Sequence, residues 1–212
     1  MEIKSLYFNQ LRECCYVVWD STLECVIIDP GVSSDDEFCR LCKFIADKSL
    51  KPVKILLTHG HFDHVMGVGS CNTRWGADVF LNPADLALMN KAEDYCKLFG
   101  VSMPLYNGPV HEVADGDVTT FGESSFKVLC TPGHTPGGVC YYSEADSVLF
   151  TGDTLFAGSI GRTDLEGGDY EAIMSSLEKV MMPLDGEVAV YPGHGPSTSI
   201  GYERATNPFL NR

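Results

Sequence analysis

Three imidazoles and a carboxylate crowd into six residues at His59-Gly60-His61-Phe62-Asp63-His64. Neither a solvated loop nor an apolar core calls for that density. A metal site does, because it needs nitrogen and carboxylate oxygen converging on one point. Two more histidines, His134 and His194, each end a Pro-Gly-His tripeptide far downstream, and Asp153 stands in a Gly-Asp-Thr turn. Of the six histidines only His111 lacks such a setting, and it is expected at the surface or behind a ligand. Side chains alternate along an extended segment, so His59 and His61 project together and can hold one ion, while Asp63 and His64 can turn toward a second. His134 completes the first set and His194 the second. Asp153 can give one oxygen to each ion and bridge them.

Two divalent ions that share a water lower its pKa toward neutrality, and they supply hydroxide at neutral pH without a side-chain nucleophile. Hydrolysis is the expected outcome, with Asp63 both a ligand and the group that orients the attacking oxygen. Each of these residues alone is usually structural: a core histidine is satisfied by a neighbour, and an aspartate in such a turn caps backbone groups. Seven of them presented at four strand ends make a shared role the better reading. No nucleophile elbow, phosphate loop or dinucleotide fingerprint competes for the chemistry.

The elements that must carry these residues are legible too. Lys4 to Asn9, Arg12 to Trp19 and Glu24 to Asp29 read as a strand meander, rich in β-branched and aromatic residues and separated by turns. Ser34 is placed as an N-cap, ahead of three acidic residues and an apolar face of Phe38, Leu41, Cys42 and Ile45, so a helix is expected to run to about Ser49. Four short apolar strands follow: Val53 to Leu57, Phe126 to Cys130, Ser147 to Phe150 and Val188 to Tyr191. Each ends just before a candidate ligand, where open α/β sheets gather their sites. Helices are expected near Ala84 to Leu98 and Tyr170 to Met181, and the alternation of strands with helices excludes an all-β fold.

A chain of 212 residues with 44% hydrophobic content can bury a full core and suits one domain. The N-terminus lacks the form of a signal peptide and no apolar run approaches a membrane span, so a soluble, cytoplasmic protein is expected, with no membrane partner. Nine scattered cysteines, several within apolar runs, read as reduced thiols, and Cys39-Arg40-Leu41-Cys42 lies too deep in its helix for a redox pair. A net charge of −14 without a Lys/Arg cluster argues against nucleic acid as a partner. A small molecule drawn by bound cations fits better.

With Thr-Pro-Gly-His-Thr, Thr-Gly-Asp-Thr-Leu-Phe and Tyr-Pro-Gly-His-Gly downstream, Thr58-His59-Gly60-His61-Phe62-Asp63-His64 resembles the motif set of the metallo-β-lactamase superfamily. The closest likeness is to its glyoxalase II branch, in the short form without a C-terminal helical domain. The resemblance spans nearly the whole chain, residues 1–212 as a single hydrolase domain. It implies an αββα sandwich, two mixed sheets face to face with helices outside and the metals at one edge. It also implies one ion on His59, His61 and His134, a second on Asp63, His64 and His194, and Asp153 between them. Zinc is the leading expectation, with iron and manganese chemically admissible. The implied reaction is hydrolysis of a small-molecule thioester, S-2-hydroxyacylglutathione, typically lactoylglutathione. Arg162, in Gly-Arg-Thr-Asp, resembles a basic residue bordering the active site, where it can pair with a substrate carboxylate or with Asp164. The alternatives within the same fold are a persulfide dioxygenase with one iron on His59, His134 and Asp153, and a lactone or ester hydrolase. A β-lactamase is disfavoured, because it would normally carry a cysteine ligand where Asp153 stands.

Overall fold

The computed structural model describes residues 1–98, 101 and 106–211. It opens with the expected meander, β1 (Glu2–Phe8), β2 (Glu13–Trp19) and β3 (Glu24–Ile28). Helix α1 (Asp35–Asp47) begins where Ser34 caps it, the hydroxyl accepting from Glu37 N at 3.3 Å, and Asp35, Asp36 and Glu37 place negative charge on its N-terminal dipole. Strands β4 (Lys51–Leu56), β5 (Asp78–Leu81) and β6 (Val110–Glu112) then add in parallel, completing a six-stranded sheet in the order β1-β2-β3-β4-β5-β6. Three helices lie between β4 and β6: α2 (Phe62–Val65), α3 (Val68–Trp75) and α4 (Leu86–Leu98), the last entered through one 3-10 turn at Pro83–Asp85.

The second half builds β7 (Val118–Phe121), β8 (Ser124–Cys130), β9 (Val139–Ser143) and β10 (Val148–Gly152). A small hairpin of β11 (Leu155–Phe156) and β12 (Ser159–Ile160) follows, then α5 (Tyr170–Ser176), β13 (Ala189–Pro192), β14 (Thr198–Ser199) and α6 (Ile200–Thr206). The helix expected over Tyr170 to Met181 widens into a π-helical turn at Leu177–Met181. The second sheet runs β14-β13-β10-β9-β8-β7, with β10 and β13 parallel and the remaining pairs antiparallel.

Strand β2 is buried at all seven positions, so its sequence does not alternate. Cys14, Tyr16 and Val18 face the second sheet and pack with Phe126, Tyr141 and Phe150. Cys15, Val17 and Trp19 face the other way, toward Leu41 and Ile45 of α1 and Val68 and Cys71 of α3. On the far side of the second sheet, Leu149 and Val190 pack with Ile173 of α5 and Ile200 of α6. Helices, sheet, sheet and helices therefore stack as an αββα sandwich of two mixed sheets. Tyr16 Oη crosses between the sheets to donate to Pro192 O at 2.5 Å, and Tyr141 Oη donates to Leu57 O at 3.1 Å. None of the nine cysteines is in a disulfide; Cys25 and Cys140 are fully buried, whereas Cys39 is exposed. Among the described residues no helix is long and apolar enough to cross a membrane.

Candidate metal centre

His59 and the residues after it leave the end of β4, His134 follows β8, Asp153 follows β10 and His194 follows β13. All seven side chains converge at one edge of the sandwich. His59 and His61 sit on extended chain with ring centroids 4.8 Å apart, and the backbone then bends into α2, with His61 as its N-cap. The extended alternation thus stops at His61, and the helical turn is what swings Asp63 and His64 to the other side. Donor atoms of His59, His61 and His134 lie within 4.8 Å of one another, and so do those of Asp63, His64 and His194. Asp153 stands between the sets: Oδ1 is 3.4 Å from His64 Nε2, and Oδ2 is 3.5 Å from His134 Nε2 and 3.7 Å from His194 Nε2.

Hydrogen bonds behind the imidazoles assign their tautomers. His64 Nδ1–H donates to Asp29 Oδ2 at 3.0 Å. His59 Nδ1–H donates to Thr58 Oγ1 at 3.1 Å, and that hydroxyl donates in turn to Asp29 Oδ2 at 2.6 Å. His134 Nδ1–H donates to Arg162 O at 2.8 Å, and His194 Nδ1–H to Leu11 O at 3.1 Å. Four imidazoles are left presenting Nε2 inward, and His61 presents Nδ1, 2.9 Å from His134 Nε2. Three of the inward atoms, His59 Nε2, His64 Nε2 and Asp153 Oδ1, are buried without a hydrogen-bond partner. Buried polar atoms are rarely left so, and a divalent cation among them would satisfy all three. The backbone leaves matching room: a Cβ on Gly193 would overlap Asp153 Oδ1 and the His64 ring.

The electrostatics agree. Burial, reinforced by four neighbouring imidazoles, drives His59 far below the ordinary histidine value, and burial with His134 and His64 pushes His61 down to about 4. Both are neutral, with lone pairs free to ligate. Burial also works against charge on His64, yet Asp63, Asp153 and Asp29 outweigh it and hold the proton on strongly. Burial opposes ionisation of Asp153 as well, but His64, His194 and His134 keep it a carboxylate. A site that retains a proton so firmly is one a metal ion can enter by displacing it.

Asp29 groups geometrically with His59 and His64, but its oxygens are committed: Oδ1 accepts from Thr58 N at 2.8 Å, and Oδ2 accepts from Thr58 Oγ1 and His64. It orients ligands and is not one itself. Asp85 does similar work on the loops, accepting from Gly60 N at 2.9 Å and Gly137 N at 2.6 Å. Glu13 is fully buried beside the site with neither carboxyl oxygen hydrogen-bonded, and burial raises its pKa well above the ordinary carboxylate range. Sequence reasoning passed over these three acids. Asp29 did carry a signal, since it ends the apolar run of β3 just as the ligands end theirs. His111 is remote from the centre, half-exposed on β6 and stacked on Phe80 at 5.0 Å.

A pocket of 730 Å³ opens over the cluster, lined by His61, Asp63, His134, Asp153 and His194 and walled by apolar side chains including Phe62, Leu88, Tyr95, Phe156 and Ile160. Arg162 lines it too, but its guanidinium is engaged by Asp164, Nε to Oδ1 at 2.7 Å and Nη2 to Oδ2 at 2.8 Å. Of the two partners open to Arg162 from sequence, the structure pairs it with Asp164.

Known proteins resemble this arrangement. Over its full length the chain is 33% identical to hydroxyacylglutathione hydrolase GloC of Haemophilus influenzae, covering 100% of this chain and 99% of GloC. It superposes on the BLEG-1 B3 metallo-beta-lactamase with a TM-score of 0.88 at 36% identity, covering 100% of both chains. With the di-iron-bound form of TTHA1623 the TM-score is also 0.88, at 39% identity over 98% of this chain and 100% of that one. The family model of the metallo-beta-lactamase superfamily matches residues 13–194, from the buried Glu13 to the last candidate ligand, and the chain belongs to that superfamily of metal-dependent hydrolases.

Proposed function

We propose that the protein is a dinuclear thioester hydrolase that cleaves S-2-hydroxyacylglutathione-type substrates, as the name of its GloC relative describes for that protein. The observation that carries the reading is the pair of donor sets sharing Asp153 on the floor of an apolar-walled pocket. In it His59, His61 and His134 would hold one ion, Asp63, His64 and His194 would hold the other, and Asp153 would serve both. Zinc is the first choice for these nitrogen and oxygen donors, and the di-iron TTHA1623 structure makes iron the second. When bound, the ions supply an acidified water and Lewis acidity toward the thioester carbonyl.

The protein's share is preorganisation. Asp29 and Thr58 fix two imidazoles, and the carbonyls of Arg162 and Leu11 fix two more, so the donors need no reorganisation as charge develops. Asp63 remains ionised: burial opposes this, but His64 and His194 outweigh it, and Oδ2 stands 3.2 Å from His194 Nε2. Its carboxylate is placed to orient the attacking water and hold its proton. The apolar walls keep bulk water from the acyl group.

Elemental analysis combined with two assays on one preparation tests the reading. Two ions per chain with thiol release from lactoylglutathione is the expected result. One iron with oxygen uptake on glutathione persulfide would replace it with the dioxygenase alternative. A β-lactam and a lactone belong in the same panel, given the likeness to BLEG-1, and preferential turnover of either would move the substrate class.

A further inference from the structure

A second hollow of 450 Å³ adjoins the first, walled by Tyr7, Leu11, Arg12, Gly195 and Pro196, and Leu11 lines both. Its floor is the tip of the β1–β2 hairpin, which is tied to the metal centre at two points. Asn9 Nδ2 donates to the carbonyls of Asp63 and Gly31 at 3.0 Å each, and Leu11 O accepts from His194 Nδ1 at 3.1 Å. Asn9 and Arg12 both take left-handed backbone, with φ of 50° and 57°, and Arg12 N closes the turn on Asn9 O at 3.2 Å. Asn9 Oδ1 accepts from Leu11 N at 2.9 Å, and Asn9 N donates to Glu37 Oε1 at 2.8 Å. The tip is thus held in register with two candidate ligands, and Arg12 is held with it.

The cations around the larger pocket are already neutralised: Arg162 by Asp164, and Lys91 by Glu166 at 2.6 Å. Arg12 differs. Among the described residues its guanidinium forms no ion pair; it lies over the Tyr7 ring, 5.8 Å from the centroid, on the open wall of the second hollow. In a chain of net charge −14, a guanidinium without a carboxylate partner beside a cavity is a local exception. Two arms leave the reacting carbon of a thioester, and the two hollows share Leu11, whose carbonyl accepts from His194. An uncharged acyl arm suits apolar walls, and an arm bearing carboxylates needs a cation.

Resting on the thioester reading above, we propose that the second hollow is an anion subsite in which Arg12 binds a carboxylate on the thiol-bearing half of the substrate. Arg12 is then the residue that selects the leaving group, and Arg162 is a structural partner of Asp164. The test is titration calorimetry of glutathione, and of glutathione esterified at both carboxylates, into metal-loaded wild type, Arg12→Gln, Arg12→Lys and Arg162→Gln. Arg12→Gln is expected to weaken glutathione binding about tenfold. Arg162→Gln should stay within about twofold, Arg12→Lys should recover part of the loss, and the ester should bind wild type as weakly as glutathione binds Arg12→Gln. Equal affinity of Arg12→Gln and wild type overturns the proposal. So does an equal loss for acid and ester, which would mark Arg12 as packing on Tyr7, and so does absence of glutathione binding to wild type. Turnover of lactoylglutathione is read separately. If wild type binds with the expected pattern but releases no thiol, the anion subsite stands and the thioester reading falls.

Discussion

Replacing Asp29 by asparagine keeps its shape and reverses half of its hydrogen-bonding capacity. The native carboxylate, 2% exposed, accepts three hydrogen bonds: from Thr58 N at 2.8 Å, Thr58 Oγ1 at 2.6 Å and His64 Nδ1 at 3.0 Å. With the new amide nitrogen in the Oδ2 position, its hydrogens face the Thr58 hydroxyl and the His64 N–H. The hydroxyl can rotate, but His64 can adapt only by moving its proton to Nε2, the atom it presents to Asp63 and Asp153. With the amide flipped, its hydrogens face the buried Thr58 N–H. Removing a partner that orients a ligand lowers metal affinity by roughly 10- to 100-fold, or about 1.4 to 2.7 kcal/mol. Asp29→Asn is expected to weaken both ions, since His59 also reaches Asp29 through Thr58, whereas Thr58→Val should weaken the ion on His59 more than the ion on His64. Competition against a chromophoric chelator, with zinc and with iron, measures both. Wild-type affinity in Asp29→Asn would refute the orienting role and the tautomer assignment with it.

Three other outcomes follow from the same geometry. Gly193→Ala puts a methyl group where Asp153 Oδ1 and the His64 ring lie, so bound metal per chain by elemental analysis should fall by about half or more, and full occupancy would refute the overlap. Asp85→Ala strips the acceptor from Gly60 N and Gly137 N, costing roughly 1 to 3 kcal/mol for each, and a change in chemical-denaturation stability below about 1 kcal/mol would contradict the pinning role. Burial raises the pKa of Glu13, so the folded chain keeps a proton that the unfolded chain releases above the ordinary value of 4.5, and stability declines as pH rises from there. Glu13→Gln should make that decline shallower as pH rises above 4.5 in urea midpoints of the metal-free protein, and identical declines would refute it.

The seven candidate ligands and the sandwich were legible in the sequence because each ligand carries a local mark. His59 to His64 form one dense cluster, and His134, Asp153 and His194 stand in Gly-rich turns after apolar strands. The helix from Ser34 was equally plain, its cap, acidic first turn and apolar face agreeing with one another. What escaped is what depends on distant partners. Asp29 is separated by 35 residues from His64, and Asp85 by 52 from Gly137; the end of an apolar run marks the place of Asp29 but not its partner, and nothing adjacent to Asp85 names its role. The four residues of β5 are too few to show a period, and β9 is buried at four of its five positions, which hides the alternation that marks a one-faced strand. Arg162 stayed open in sequence between a substrate carboxylate and Asp164, because a partner two residues away is as easily solvated as paired.

His59, His61, Asp63 and His64 hang from the sheet built by the first half of the chain, and His134, Asp153 and His194 from the sheet built by the second. Either donor triad therefore draws two side chains from one leaf and a third from the other. A cation seated there would act as a rivet through the rim of a molecule whose leaves otherwise adhere by apolar contact and a few hydrogen bonds such as Tyr16 to Pro192 and Tyr141 to Leu57. Neither leaf holds a complete triad by itself, so affinity emerges only once the leaves have closed, and part of the binding energy becomes energy of closure.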